Sequence, residues 1–401
     1  MHINTIDGSD FMNSIFILSF FILIFTFILL KLLNIKKNYI FCFIITIFII
    51  LFVSNIETSI TAAMEGCKLC FKAIIPTVFS FSLICNLLIS YDGISIYSKI
   101  LGPLICKPLN LSENCSFPIV ASMLCGYPLG AKYTSDIYEL GYINKSEYSR
   151  LINIASNAGP IFLIGAVGAA LLGSPRYGYF LLISNYISMF FIAFITKKKS
   201  FSYNTLKKKT SNNSNINFGL AIDEGIKNAI NTTLSVCGYV VIFSVVISIL
   251  KNTSFVYNFF NYIEKFFNIP KNVLYGTFLG SIELTNGCNI IASSNITIHL
   301  KLAIISFFAS FAGLSAIAQT SSFISKNNIS IVKYILLKFI QGIFSFALSF
   351  ILSKLIFKTI ETSPTVLSTN LFNNIFLYSI PIVILLLTTL IIKILSNRIN
   401  S

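Results

Sequence analysis

Charged residues are scarce in this sequence. Asp, Glu, Lys and Arg together make up 11% of its 401 residues, against about 25% in an ordinary soluble domain. Tryptophan is absent and histidine occurs twice, whereas phenylalanine occurs 39 times. So few charges cannot cover the surface of a water-soluble protein of this size, and a soluble globular fold is therefore excluded.

Signatures of catalysis and of metal binding are missing as well. His299, the one histidine outside the N-terminal tail, has no aspartate, cysteine or second histidine beside it. The nine cysteines include a single C-x-x-C pair, Cys67 and Cys70, without the second pair that would complete a zinc site. We predict no catalytic residue, no metal site and no cofactor, and we do not expect an enzyme.

Long uncharged runs occupy most of the chain instead. A helix needs about 20 residues to cross a hydrocarbon core of about 30 Å, and in lipid it must satisfy its backbone polar groups within its own segment. Runs of this length without Asp, Glu, Lys or Arg recur from residues 11–30 to residues 362–392. These runs predict an all-α polytopic membrane protein with about eight to ten crossings and the lipid bilayer as its surroundings.

Positive charge is concentrated between the apolar runs. The net charge is +15, but the lysines are not spread over a folded surface, so we do not expect a nucleic-acid partner. Cytoplasmic loops carry an excess of Lys and Arg, which predicts a cytoplasmic C-terminus in a multi-pass protein of the cell membrane. The segment before residue 11 carries Asp7 and Asp10 and is predicted to lie outside. The basic clusters lie at residues 31–37, 197–199 and 207–209, and Lys393 and Arg398 close the chain.

Three landmarks occur twice in the same order, which indicates an internal repeat. The first landmark is a short charged segment, predicted as a helix lying in the membrane interface. The others are a glycine-rich break and a second break farther on. Because the first repeat follows an outer segment and the second follows the Lys-rich linker, the two are predicted to be inverted. The matched pairs are 62–68 with 221–227, 126–130 with 283–287, and 157–160 with 311–314, and the interfacial helices are predicted at residues 61–72 and 221–231.

These landmarks divide the chain into five segments. Residues 1–58 are predicted to form a pair of transmembrane helices, and residues 357–401 a last transmembrane helix and tail. The first repeat covers residues 61–196 and the second, inverted repeat covers residues 221–356. A cytoplasmic linker rich in Lys, Asn and Ser, residues 197–220, joins them.

Each repeat contains a polar break inside an apolar stretch. Backbone groups released by glycine and proline at bilayer depth must face protein or water, so each break is predicted to be the tip of a re-entrant helical hairpin. Glu283 is the most informative residue, because a carboxylate at this depth is costly and marks a functional site unless the tip reaches water. The tips contain Gly126, Tyr127, Pro128 and Gly130 in one repeat and Glu283, Thr285, Asn286 and Gly287 in the other.

A broken helix is predicted to follow each hairpin. Pro160 removes an amide donor and disfavours helical geometry at Gly159, which leaves carbonyl groups beside Asn157. Discontinuous helices paired across an inverted repeat typically form a substrate site near the middle of the membrane. Close helix packing by small residues is the alternative. The counterparts in the second repeat are Gly313, Ser315 and Gln319.

The sequence resembles a known family at the stretches G-Y-P-L-G-A-K, residues 126–132, and E-L-T-N-G, residues 283–287. Both are similar to the sporulation integral membrane protein YlbJ family, within a nucleoside-recognition "gate" group that includes concentrative nucleoside transporters. The resemblance implies gate-type units, each a re-entrant hairpin followed by a broken helix, and a role in forming the spore cortex. Tyr127 and Pro128 depart from the transporters, which carry polar substrate-binding residues there.

We therefore predict a secondary transporter or permease that moves a small polar solute by alternating access. The solute would be nucleoside-like, an amino acid or an ion, with a coupling cation or proton. The main alternative is a non-transporting scaffold for spore envelope assembly, alone or with other sporulation membrane proteins. A third possibility is a membrane enzyme that acts on lipid-linked precursors. The sequence leaves open whether the chain forms a homo-oligomer. The predicted substrate-binding residues are Gly126, Tyr127, Pro128, Gly130, Asn157, Gly159, Pro160, Glu283, Thr285, Asn286, Gly287, Ser315 and Gln319.

Overall fold

The protein is described here by a computed structural model. It covers residues 37–197 and 217–357, apart from residues 253–255, 257–258, 262–263, 265–269 and 328. Every regular element in these ranges is a helix, which confirms the predicted all-α fold. The predicted first span, most of the Lys-rich linker and the predicted last span lie outside the described residues. The chain divides into two units, residues 1–353 and 354–401.

Five helices in the described part are long and apolar enough to cross a membrane. Two further apolar helices are shorter. Two of the predicted spans lie outside the described residues, so the total of about eight to ten crossings stays a prediction. The five are α2 (Ile56–Ser90), α9 (Pro175–Ile195), α10 (Phe218–Asn252), the broken pair α13 and α14 (Ile298–Ile324), and α15 (Ile331–Ile356). The two shorter helices are α1 (Lys37–Ser54) and α8 (Ile161–Leu171), and the short helices α3 (Gly93–Ile100) and α4 (Gly102–Ile105) follow α2.

The first helices of the two repeats, α2 and α10, run antiparallel against each other. Each is 35 residues long, or about 50 Å. As the residue number rises along α2, the number of its contact residue on α10 falls, so the two repeats begin at opposite ends of the same helix pair. This confirms the predicted inversion. The hydrogen bonds run from Ser248 to the carbonyl of Thr58, from Cys70 to that of Cys237, and from Asn86 to that of Gly225.

The predicted short interfacial helices at residues 61–72 and 221–231 are wrong as separate elements. Both segments belong to the long helices α2 and α10. Each contains one glycine, and a lone glycine costs a helix only about 1 kcal/mol. A Cβ atom on Gly66 would lie 3.0 Å from the Ser244 hydroxyl on the opposite helix, and one on Gly225 would lie 3.2 Å from a methyl group of Leu83. Close packing between the helices therefore offsets the weak helix propensity.

Two helical hairpins follow the long helices, one in each repeat. Their arms contain 10 to 12 residues, which span about half of a 30 Å hydrocarbon core. Arms this short cannot cross the membrane, as expected of re-entrant hairpins. Hairpin 1 consists of α5 (Ser116–Cys125) and α6 (Leu129–Glu139), and hairpin 2 of α11 (Lys271–Ile282) and α12 (Leu284–Ser293).

Each hairpin is followed by a helix that breaks beside it. In the first repeat α7 (Lys145–Ile154) ends, and α8 resumes at Ile161. In the second repeat α13 (Ile298–Phe311) and α14 (Gly313–Ile324) are separated at Ala312 and Gly313, which have φ values of 81° and 69°. The backbone of Gly159 contacts Gly126 in hairpin 1, and Gly313 lies against the carbonyl of Gly280 in hairpin 2. The predicted sequence of hairpin and broken helix is confirmed in both repeats.

The antiparallel pair α2 and α10 generates a topology prediction. Glu57 and Gly219 are exposed near the first turns of these helices, so single cysteines placed there should react with a membrane-impermeant maleimide from opposite sides. We expect Glu57→Cys to label from outside and Gly219→Cys only after the membrane is opened. The measurement uses intact cells and a background without the native cysteines. Labelling of both positions from one side would contradict the inverted arrangement.

Candidate functional site

The first broken helix leaves carbonyl groups that no helical amide can reach. Residues 155–159 lie between α7 and α8 without regular structure, and lipid provides no hydrogen-bond donor. Side chains from other helices supply the donors instead. The Lys338 ammonium donates to the carbonyl of Ser156, Asn185 donates to that of Ala158 over 3.4 Å, and Asn157 donates to that of Ile154 over 2.6 Å.

Lys338 is a fully buried cation within the apolar helix α15. Its side chain has no exposed surface, and besides Ser156 it donates to the Gln341 side-chain oxygen over 2.8 Å. Within the described ranges no carboxylate pairs with it. A buried charge costs several kcal/mol unless its donors are bound, and two of its three donors have acceptors here. The ammonium therefore holds α15 against the helix break.

A closed network of buried amides and hydroxyls surrounds this cation. Gln341 donates to Asn157 and to Ser188, in both cases over 3.2 Å. Ser310 lies 3.1 Å from Ser188 and donates to Asn185 over 3.0 Å. These side chains are all fully buried, and they join α9, α13 and α15 to the first break. Both amide hydrogens of Asn157 have protein acceptors, so in this conformation Asn157 shapes the break rather than offering a free donor.

The tip of hairpin 1 docks onto the break and onto the second repeat. Gly126 has a φ of 79°, and it lies so close to Gly159 that a side chain would collide with the backbone. Gly130 is in similarly close contact with the carbonyl of Ala155. The Tyr127 hydroxyl donates to the carbonyl of Ala309 over 2.5 Å. Pro128 is buried and precedes α6, and Pro160 precedes α8.

The tip of hairpin 2 is organised around Glu283, which caps the N-terminus of α12. Its two carboxylate oxygens accept the backbone amides of Thr285 and Asn286, each over 2.8 Å. A carboxylate at this position satisfies free amides and complements the helix dipole. Lys251 donates to Asn286 over 2.8 Å. Thr285 is exposed and Glu283 half-buried, so this tip approaches an open surface.

The predicted site residues thus form two groups in the described structure. Asn157 belongs to the buried network of the first break, and Glu283 belongs to the tip of hairpin 2. Their side chains share no hydrogen-bond partner among the described residues. Tyr127 and Ser310 connect the first group to α13, and α13 packs against α12 of hairpin 2.

Ser315 and Gln319 differ from the other predicted residues because their polar atoms have no partner. They lie one turn apart on α14, with exposed fractions of 6% and 8%, and neither side chain makes a hydrogen bond within the described part of the chain. Among the described residues, the enclosed side-chain atoms without a partner belong to Ser59, Asn153 and Ser184, so the polar atoms of Ser315 and Gln319 retain accessible surface. Water or a solute can therefore bind them. Helix α14 also contacts α6 of hairpin 1, α11 of hairpin 2 and the long helix α10. The unpartnered pair therefore lies where the two repeats meet.

No protein-family model matches this sequence. The chain is similar to the sporulation integral membrane protein YlbJ of Bacillus subtilis (strain 168), with 21% identity over 314 residues, which cover 73% of this chain and 77% of the relative. It is also similar to a solved structure of a variant of CNTnw in an outward-facing state. That match has 13% identity and a TM-score of 0.43, and it covers 81% of this chain and 89% of the other.

The resemblance predicted from the two motifs is confirmed. The relative is an integral membrane protein by name, and the helices above have the length and composition of membrane spans. The chain is thus a multi-pass membrane protein.

Sequence reasoning missed the buried network around Lys338. The signal was present, because Lys338 is the only charged residue in the apolar run 334–353. Asn185, Ser188 and Ser310 gave no comparable signal, since serine and asparagine are common in membrane helices whether or not they face a break. Gln341 is one of two glutamines in the chain, and only the packing of α15 shows its partners.

Gly287 provides a test of how tightly hairpin 2 is packed. A methyl group on this residue would lie 2.2 Å from the Cα atom of Gly280, and such overpacking typically costs about 1–3 kcal/mol. We expect Gly287→Ala to lower the unfolding temperature of the detergent-solubilised protein. Gly165→Ala is the matched control, because a methyl group there meets nothing within 4 Å. Equal unfolding temperatures for the two variants would contradict the close contact.

Proposed function

We propose that this chain is a secondary transporter that moves a small polar solute across the membrane by alternating access. The observation that carries the proposal is the pair Ser315 and Gln319, which are largely buried residues whose polar atoms retain accessible surface and have no hydrogen-bond partner in the described structure. They lie on a half-helix held between the two hairpins. A solute with its own donors and acceptors would satisfy both side chains.

The chemistry of the pair favours a neutral or zwitterionic solute. An amide and a hydroxyl can each donate and accept without carrying charge, so they suit a nucleoside-like or amino-acid solute better than a bare cation. Inverted repeats with paired broken helices are the usual construction for alternating access, because one unit can rock against the other around a fixed site. The antiparallel pair of α2 and α10 gives this chain the inverted arrangement that such a mechanism uses.

We further propose that a proton, rather than a metal cation, is coupled to transport. In transporters with broken helices, freed carbonyl groups commonly bind the coupling cation. Here the Lys338 side chain already donates to the freed carbonyl of Ser156, so that carbonyl is not available to a metal cation. Glu283 is the proposed proton acceptor, since it is half-buried at the tip of a hairpin.

The similarity to YlbJ supports a role in sporulation. We propose that the solute is needed for formation of the spore cortex or envelope, and that the chain transports it without catalysing a reaction. A non-transporting scaffold in the same process is the alternative. A scaffold has no need of unpartnered polar groups inside the helix bundle, so substitution of those groups separates the two functions.

Replacing Gln319 by leucine tests the proposed site. The amide has no protein partner to lose, so Gln319→Leu should fold normally and unfold at the same or a higher temperature. Loss of a hydrogen bond to the solute should reduce uptake by about tenfold or more. The measurement is uptake of radiolabelled nucleosides, amino acids and ions into proteoliposomes that contain the purified full chain.

Ser321→Ala is the control for this experiment. Ser321 lies on the same helix, and its hydroxyl donates only to the carbonyl of Ala318 in the preceding turn, so uptake should be unchanged. Wild-type uptake by Gln319→Leu would remove the proposed site. Absence of uptake of any solute by the wild-type chain, together with normal sporulation of a strain that carries Gln319→Leu, would favour the scaffold.

Glu283→Gln tests the coupling. Glutamine keeps one side-chain oxygen to accept the amide of Thr285 or Asn286, so the hairpin should remain folded, but it cannot take up a proton. We expect uptake driven by a pH gradient to be abolished. The exposed Glu224 on α10 is the control, and Glu224→Gln should transport normally. Unchanged proton-driven uptake by Glu283→Gln would exclude Glu283 as the coupling residue.

A further inference from the structure

A basic cavity lies at the end of the helix bundle where α7 begins, α9 ends and α15 begins. Its volume is about 460 Å³, which is within the range of small-ligand sites. The first repeat contributes the walls from α7 and α9, and the second repeat contributes the wall from α15. The polar residues that form it include Lys145, Ser149, Arg150, Thr196, Ser330 and Lys333.

The charge of this cavity has one sign. Three of the described residues that line it are cationic and none is acidic. Lys145 and Lys333 are exposed, and neither ammonium has a hydrogen-bond or ion-pair partner within the described part of the chain. Like charges that share one cavity repel each other. An anion bound between them would remove that repulsion.

Arg150 forms the inner wall and has a donor to spare. It is only 5% exposed, and its guanidinium donates to the carbonyls of Leu109, Asn110 and Ala193 over 2.6 to 2.9 Å and to Thr196 over 3.4 Å. These contacts use four of its five N–H groups. No carboxylate binds it, because the oxygens of the neighbouring Glu147 accept the backbone amides of Ser112 and Asn144. The guanidinium forms hydrogen bonds only to neutral groups, so its remaining N–H group can donate to an anion in the cavity.

One helix N-terminus adds to the positive potential. Helix α15 has 26 residues and begins at the cavity, whereas the first turn of α7 contains Glu147, which forms a capping box with Asn144. The Ser330 side chain accepts the amide of Lys333 over 3.3 Å, as a capping residue does. Free amides in the first turn of a helix, together with the helix dipole, favour phosphate and related anions. Lysine, arginine and serine side chains complete a donor set of the kind that binds phosphate groups.

The surface next to the cavity favours a phosphate carried by a lipid. Leu337 lines the cavity, and the exposed face of α15 continues from it with apolar side chains. This strip can accept acyl chains while the phosphate occupies the basic cavity. The exposed side chains are Val332, Leu336, Phe339, Ile340 and Ile343.

We propose that this cavity binds a phosphate group, supplied by an anionic phospholipid or by free phosphate, and that the bound anion joins the two repeats. Lys145 and Arg150 belong to the first repeat, whereas Ser330 and Lys333 belong to the second. An anion that contacts both sides therefore stabilises the conformation in which α7 and α15 are close. This site is separate from Ser315 and Gln319, and it does not depend on the proposed transport.

The test measures thermal unfolding and native mass spectra of the purified full chain in neutral detergent. The probes are dioctanoyl phosphatidylglycerol, dioctanoyl phosphatidylcholine and inorganic phosphate. The variant is the double substitution Lys145→Gln and Lys333→Gln. Both lysines lack protein partners, so this variant should fold, which size-exclusion chromatography checks. Lys68→Gln with Lys99→Gln is the control, because it removes the same charge from exposed positions elsewhere.

We expect phosphatidylglycerol to raise the unfolding temperature of the wild-type chain and of the control, and to do so more than phosphatidylcholine. Its affinity should fall by about tenfold or more for each lysine lost in the double variant. If inorganic phosphate alone gives the lysine-dependent rise, the site takes free phosphate and the proposal holds in that form. The proposal is overturned if no probe stabilises the protein, or if the double variant and the control respond alike.

Discussion

The first broken helix sets the conditions for much of the described structure. Between α7 and α8 the backbone leaves the helical path at membrane depth, and each freed carbonyl must find a donor without help from water. The donors come from Asn157, Asn185 and Lys338. Because Asn185 lies on α9 and Lys338 on α15, both helices must pack against the break. The need to satisfy a few carbonyl groups therefore determines where two full-length helices lie.

The second break also frees backbone carbonyl groups, but fewer side chains are needed to bind them. Ala312 and Gly313 adopt left-handed backbone angles, so α13 ends and α14 begins within two residues and few carbonyls are exposed. Hairpin 2 approaches this point through Gly280, and Glu283 caps the arm that follows. Fewer side chains form hydrogen bonds to the backbone at this break, and Ser315 and Gln319 have no partner among the described residues. The polar side chains at the first break are bound by protein, whereas Ser315 and Gln319 are not. This difference is the reason why we propose the solute site in the second repeat.

Lys338 makes the first break chemically different from the second. A buried lysine side chain is costly unless its donors are bound, and here two of them are bound by the carbonyl of Ser156 and the side-chain oxygen of Gln341. Lys338 donates to Gln341, which in turn donates to Asn157 and to Ser188. Ser188 is hydrogen-bonded to Ser310 on α13. Movement of the second repeat would have to break this network or carry it along as a unit. The basic cavity at Arg150 is a second place where both repeats contribute to one site.

The sequence alone determined the membrane class, the helical fold and the positions of the breaks. Gly126, Pro160 and Gly313 are visible as interruptions because glycine and proline act on their own backbone, which is a local effect. The uncharged runs likewise predict membrane spans from their own length alone. The full extent of α2 was not visible, because the cost of Gly66 within that helix is offset by a contact with α10.

Only the tertiary structure decided which polar groups are already satisfied. Asn157 and Gln319 both carry amide side chains, and the sequence predicts both as site residues. In the structure both amide hydrogens of Asn157 have protein acceptors, whereas the Gln319 side chain has no hydrogen-bond partner among the described residues. The same holds for the cavity formed by Lys145 and Lys333, which lie on helices far apart in the chain. A hydrogen bond or a shared cavity between distant residues depends on how the helices pack, and that packing leaves no periodic trace in the sequence.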